Sequence, residues 1–158
     1  MQVKKKSQLQ EKSVAKDLNA KTVVASGALW GAKGDVRSDK YLIECKTTDK
    51  PYYSLTLATW EKIEKEATRD GLRIPVMCID VNGGKDRYAV FLSKHFQHYK
   101  SFCEIDEGDG SWTDKKSFRV SCPEHILVLS VQDKKGESPW FSVVPWNDFL
   151  YMLKNGEK

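Results

Sequence analysis

The chain has 158 residues, of which 40% are apolar, 30% charged and 11% aromatic; this suits about one domain with a real hydrophobic core and excludes two large domains, a fibrous repeat and a disordered chain. No apolar run approaches the roughly 18 residues of a membrane helix, and the start MQVKKKSQLQEK has positive charge with no apolar stretch behind it, so neither a membrane span nor a secretory signal is expected and the setting is read as intracellular. The net charge of +4 is uneven, residues 1–50 carrying 11 Lys and Arg against 6 Asp and Glu while the other 108 carry 15 against 16.

A basic first third suits contact with a polyanion, or equally a solvated tail, since Lys4, Lys5 and Lys6 supply much of the excess. The string Ser7-Gln8-Leu9-Gln10 reads as a capping box opening a helix over about 8–20. TVVAS (22–26) is short and β-branched, GALWGAKG (27–34) is punctuated by glycine, and DVR…YLIECK (35–46) reads as two strands around a turn at Ser38–Lys40. Residues 55–70 place Leu57, Trp60, Ile63 and Ala67 near one face and stop before Gly71, which predicts a second helix. IPVMCIDV (74–81), the turn NGGKD and RYAVFL (87–92) predict a hairpin, with Ser93 opening a short helix that carries His95 and Phe96. Residues 101–121 are polar and rich in turn formers. HILVLSVQ (125–132) and WFSVV (140–144) repeat the hairpin pattern, and a last helix is expected over about 146–154. The class is therefore α/β, with residues 1–100 as a core and 101–158 as a β-β-α extension packed with it.

In YLIECKTT the two-residue period of a strand puts Leu42, Glu44 and Lys46 on one face and Tyr41, Ile43 and Cys45 on the other. Asp35 opens the preceding strand, so a tight antiparallel turn returns it to the neighbourhood of Glu44. Two carboxylates and an ammonium then converge, a set that suits Mg²⁺ with its preference for a few carboxylates, retained waters and phosphate oxygens; the backbone carbonyl of Cys45 is a further candidate ligand. Independently, positions 11, 14, 15 and 18 form one helical stripe occupied by Glu11, Val14, Ala15 and Leu18. An acid on an inward face needs a cation or a partner, because a lone buried carboxylate is costly.

These positions together resemble the PD-(D/E)xK nuclease superfamily, and within it the Holliday junction resolvases of archaeal and phage type. The resemblance spans about residues 7–92 and rests on Glu11, Ser26, Asp35, Glu44 and Lys46 within SGALWGAKGDVRSDKYLIECKTT; Gly34 stands where the motif has proline. It implies a restriction-endonuclease-like αβββαβ core with a mixed central sheet. It further implies a homodimeric, Mg²⁺-dependent endonuclease, with Mn²⁺ able to substitute, that cuts branched DNA in the cytoplasm of a bacterium or a phage-infected host. Asp35 and Glu44 would be metal ligands, Glu11 a support for the metal, Lys46 the group that orients or activates the attacking water, and Ser26 a contact to the phosphate.

Lys4, Lys5, Lys6, Lys33, Arg37 and Lys40 are candidates for DNA phosphates, and Trp30 is a candidate for a base or branch point, or for packing under its own loop. Another nuclease of the superfamily, restriction-like, nicking or exonucleolytic, and a noncatalytic DNA-binding module are the rival readings. Zinc is not expected: His95, His98, Cys103, Cys122 and His125 match no familiar spacing. Free thiols are the default for all four cysteines, and Cys45 is expected to face the apolar side rather than act as a nucleophile. The cluster Trp140, Phe141, Trp146, Phe149 and Tyr151 reads as core or as a dimer face.

Overall fold

A computed structural model describes residues 3–23, 35–96, 105–106, 117–121, 126–130 and 139–156. Helix α1 spans Val3–Asp17. The lysine run continues the helix, since lysine is a good helix former, so Ser7 lies inside it. The capping box is thus not formed: the Ser7 hydroxyl donates to Glu11 Oε1, one turn ahead, at 3.0 Å. The helix ends at a left-handed Asn19 (φ 48°), with Ala20 N–H donating to the Ala15 carbonyl and Asn19 N–H to that of Lys16, the hydrogen-bond pair of a Schellman end.

Strands β1 (Lys21–Thr22), β2 (Val36–Arg37) and β3 (Tyr41–Thr47) run antiparallel in sequence. The turn between β2 and β3 is where the sequence puts it, closed by Ser38, whose N–H donates to the Tyr41 carbonyl while its hydroxyl accepts from Tyr41 N–H. β4 (Tyr52–Thr56) precedes helix α2 (Leu57–Arg69). The expected helix start at 55 is therefore two residues early; Thr56 is its cap, accepting from Thr59 N–H. The four residues expected on its inner face, Leu57, Trp60, Ile63 and Ala67, are its buried ones. The helix gives way at Gly71 (φ +79°).

β5 (Ile74–Val81) lies parallel to β3 in register, Glu44 beside Met77 and Lys46 beside Ile79, and antiparallel to β6 (Asp86–Leu92). The linking turn uses left-handed Gly83 and Gly84, a conformation glycine takes without penalty. A single 3₁₀ turn follows over 93–96. In the polar stretch, where no strand was expected, β7 (Ile105–Asp106) and β8 (Ser117–Ser121) occur. β9 (Ile126–Ser130), β10 (Trp140–Pro145) and helix α3 (Trp146–Asn155) complete the order.

The strands form a mixed sheet, β1-β2-β3-β5-β6-β10-β9-β7, and a separate ribbon, β4-β8. β10 pairs directly with β6, so the C-terminal strand continues the sheet that carries β3. One face is covered by α2 and the ribbon, with Trp60, Ile63, Met77, Ile79, Phe141 and Val143 in one apolar cluster; the other is covered by α1 and α3, with Val14, Ile43, Cys45, Val76, Cys78 and Phe149 in a second. Alternation along β5 feeds both clusters, which is why that strand is a nearly continuous apolar run. Of the expected aromatic cluster, Phe141, Trp146 and Phe149 are buried, whereas Trp140 and Tyr151 are exposed. Among the described residues no helix is long and apolar enough to cross a membrane.

Candidate active site

The site is built at the open edge of β3. Asp35 is tied on both sides by main chain: its N–H donates to the Ile43 carbonyl and its carbonyl accepts from Val23 N–H. Among the described residues β2 pairs with β3 through Val36 and Arg37, so the next N–H along β3, that of Cys45, takes another acceptor. Asp35 Oδ2 takes it at 2.7 Å. The carboxylate thus stands in for one rung of the ladder, and the Cys45 carbonyl points to the same edge because the N–H and C=O of one strand residue share a side.

Glu44 and Lys46 project on the α2 side of β3, as alternation requires, with Lys46 Nζ 2.8 Å from Glu44 Oε1. Cys45 points the other way, into the core, and is 5% exposed. A hydrogen bond to Cys78 and burial hold its thiol well above the ordinary range, which leaves no thiolate for nucleophilic attack. Both described thiols are free.

Burial, then repulsion from Glu44 and, more weakly, Glu11, push the Asp35 carboxyl up from 3.8 to about 6, against the opposing Cys45 N–H and Lys46 charge. Asp35 therefore feels the charge of both Glu44 and Glu11. Lys46 moves upward as well: burial alone would lower it, but the hydrogen bond and charge of Glu44 outweigh that, so it stays an ammonium. Tyr53, from β4, lies within the field of the pair, its hydroxyl raised by burial against the opposing Lys46 charge, with a smaller upward push from Glu44.

Glu11 is only half buried and has a partner in Ser7, so the expected lone acid on an apolar face is a solvated-edge acid instead. Val14 and Ala15 of the same stripe are buried. The residue that fastens α1 here is one the sequence reading missed, Gln10. It is 3% exposed, and its Nε2 donates to the carbonyls of Lys46 (2.9 Å) and Cys78 (3.1 Å). It stands one turn before Val14, on the buried side of α1, and that spacing is the signal that could have found it.

Asp35, Glu44, Glu11 and Lys46 are therefore neighbours at one edge. Each carboxylate has one oxygen engaged within the chain, by Cys45 N–H, Lys46 and Ser7 respectively. Among the described residues no three His, Cys, Asp or Glu groups already close into a metal coordination shell. The donor set nonetheless fits a hard cation: it is all oxygen, with a surplus of negative charge.

The expected DNA contacts divide. Lys6 is committed to Asp49 (2.6 Å) and Arg37 to Asp70 (2.8 Å), so both serve the fold first. Lys5 and Lys40 are exposed, and Lys4 lies in α1. Ser26, Trp30 and Lys33 lie outside the described residues, as do His98, Cys103, Cys122 and His125. His95 sits in the 3₁₀ turn, its imidazole lowered by partial burial and Lys94. No protein-family model matches the chain and no curated protein matches it in sequence, so the reading of this edge rests on its own residues.

Proposed function

We propose that the chain is a magnesium-dependent endonuclease for branched DNA, built on a restriction-endonuclease-like core, with Holliday junctions as the leading substrate and a homodimer supplying paired cuts across a two-fold junction. The observation that carries the proposal is the Asp35 carboxyl, pushed up to about 6 beside Glu44 and Glu11 with Lys46 fixed on Glu44.

Asp35, Glu44 and the Cys45 carbonyl would hold the ion, with Glu11 behind them. When bound, magnesium, or manganese in its place, supplies a Lewis acid for the phosphoryl oxygens and a water of lowered pKa. The remaining work falls to the chain. Lys46 keeps its proton, so it acts as a donor: it orients the attacking water and sets a fixed positive charge against the charge that grows on the nonbridging oxygens. Glu44 aims that ammonium by holding it at 2.8 Å. The Asp35 carboxylate keeps its position through the Cys45 N–H bond, so the cradle is set before substrate arrives. Lys5 and Lys40, both exposed, would extend the positive surface toward the DNA backbone.

The test is cleavage of four-way, flapped, nicked and plain linear DNA with Mg²⁺ or Mn²⁺, alongside Glu44→Gln and Lys46→Met. Four-way DNA is cut preferentially, and either substitution lowers the rate roughly 10²- to 10³-fold with DNA binding retained. Equal cutting of linear duplex replaces the resolvase by another nuclease of the superfamily. Intact DNA throughout, with binding retained, leaves a noncatalytic module.

A further inference from the structure

The ribbon formed by β4 and β8 has two unlike faces. Tyr53, Leu55 and Val120 turn inward: Leu55 and Val120 are buried in the cluster with Trp60 and Met77, and Tyr53 packs against it. Alternation places Tyr52, Ser54 and Thr56 of β4 on the outward row with Arg119 and Ser121 of β8, Ser54 paired with Arg119 and Tyr52 with Ser121. Ser54, Arg119 and Ser121 are exposed. The row carries hydroxyls, one aromatic ring and one cation, and no carboxylate.

Arg119 does not extend freely into water. Its guanidinium carbon lies 4.4 Å from the centre of the Tyr52 ring, a cation–π contact that restrains the side chain. Among the described residues no Asp or Glu forms an ion pair with it, in contrast to Arg37, Arg73 and Arg87, which all have one. The ribbon, through its inward face, adjoins the site: β4 follows β3 after four residues, and Tyr53 lies in the field of Lys46 and Glu44.

We infer that this outward row is a docking surface for the sugar-phosphate backbone of a duplex arm beside the scissile linkage, with Arg119 on Tyr52 as its phosphate contact and Ser54 and Ser121 as flanking hydroxyl donors. The occupant follows from charge: a guanidinium seated on an aromatic ring among hydroxyls, with no carboxylate partner among the described residues, is complementary to a phosphodiester chain. The inference rests on the nuclease reading for the identity of the site it flanks.

The experiment measures binding of fluorescent four-way and linear duplex DNA to the full chain in EDTA across a salt series, and cleavage in Mg²⁺. Arg119→Ala should weaken binding about fivefold and lower the salt slope by about 1, and Arg119→Glu should weaken it more than tenfold. Tyr52→Ala should reproduce part of the loss and Tyr52→Phe none, because the ring and not the hydroxyl seats the guanidinium. Lys154→Ala, at an exposed position of α3, is the neutral control. If Arg119→Glu binds like the parent while the parent cuts DNA, the docking surface is refuted and the nuclease stands. If the parent cuts nothing yet binding depends on Arg119, the nuclease is refuted and the surface stands. A parent that binds no DNA removes both.

Discussion

Two aspartates near the same helix, Asp80 on β5 and Asp35 before β2, have opposite surroundings. Asp80 is 4% exposed and is met by both faces of a guanidinium fork, Arg87 Nε at 2.7 Å and Nη2 at 3.0 Å. That guanidinium is itself held by Ser13 of α1 at 2.9 Å, and Asp17 of α1 accepts from the Trp146 indole, so the network ties α1, β5, β6 and α3 together. Asp35 has one backbone N–H, a distant share of Lys46, and two acids nearby. Where a negative charge serves the fold, the chain provides a matched arginine. At Asp35 it gathers further negative charge instead, which stabilises the ion-free protein less but suits a site whose cation comes from outside.

That contrast breaks first at Asp80. Asp80→Ala leaves the half-buried Arg87 without its closest carboxylate and should lower the unfolding free energy by about 3 kcal/mol, seen in urea or thermal melts. Arg87→Ala should cost a similar amount, and the double variant less than the sum of the two. Full additivity would mean that the two side chains contribute separately and that the fork is incidental.

Asp35 should respond with the opposite sign. Its folded value lies above the unfolded one, 3.8 against about 6, so the proton bound in the native state favours folding below about pH 4. That advantage is lost as pH rises through about 6. At neutral pH the ionised group is therefore a burden of at most about 3 kcal/mol, reduced to about 1–2 by screening at an edge partly open to water. Asp35→Asn keeps an oxygen for Cys45 N–H and removes the charge. In EDTA at pH 7.5 it should melt higher than the parent, the gap closing by pH 3.5. Added Mg²⁺ should raise the melting temperature of the parent and leave that of the variant in place. A variant that melts lower at pH 7.5 would show Asp35 to be structural, like Asp80.

How much of this was legible follows from the range of each interaction. The inner face of α2 and the opposite facing of Cys45 and Glu44 repeat with the local period of a helix or strand, so a few residues suffice to read them. The turn at Gly83 and Gly84 is equally local. The commitments of Lys6 to Asp49 and of Arg37 to Asp70 join positions far apart in the chain, and no window on the sequence distinguishes these cations from exposed ones. Ser7 satisfies the pattern of a cap, but the pattern cannot see that the lysines before it continue the helix. β4 was absorbed into α2 because Leu55 and Leu57, two apart, fit a strand face as well as the edge of a helical one. β8 alternates over only five residues, Ser117 to Ser121, inside a polar stretch, and its partner lies more than sixty residues earlier.

The smallest effect is expected at Gln10, and it bears on whether α1 is a passive cover or part of the site. The amide reaches two carbonyls, those of Lys46 and Cys78, while its own Oε1 meets no partner among the described residues. Gln10→Leu gives up both bonds and also removes that unpartnered oxygen. The net cost should therefore be about 1 kcal/mol, at the lower end for a buried polar residue. The helix that carries Glu11 would then lose, among the described residues, its one side-chain bond to the β3 backbone and the bond from the same amide to β5. If α1 helps to shape the acid cluster, Gln10→Leu raises the Mg²⁺ concentration needed for half-maximal cleavage severalfold, and Gln10→Asn, with the same group on a shorter stem, recovers little of it. A variant that loses the same stability but keeps the metal requirement of the parent would make α1 only a cover for the sheet, and Glu11 a bystander.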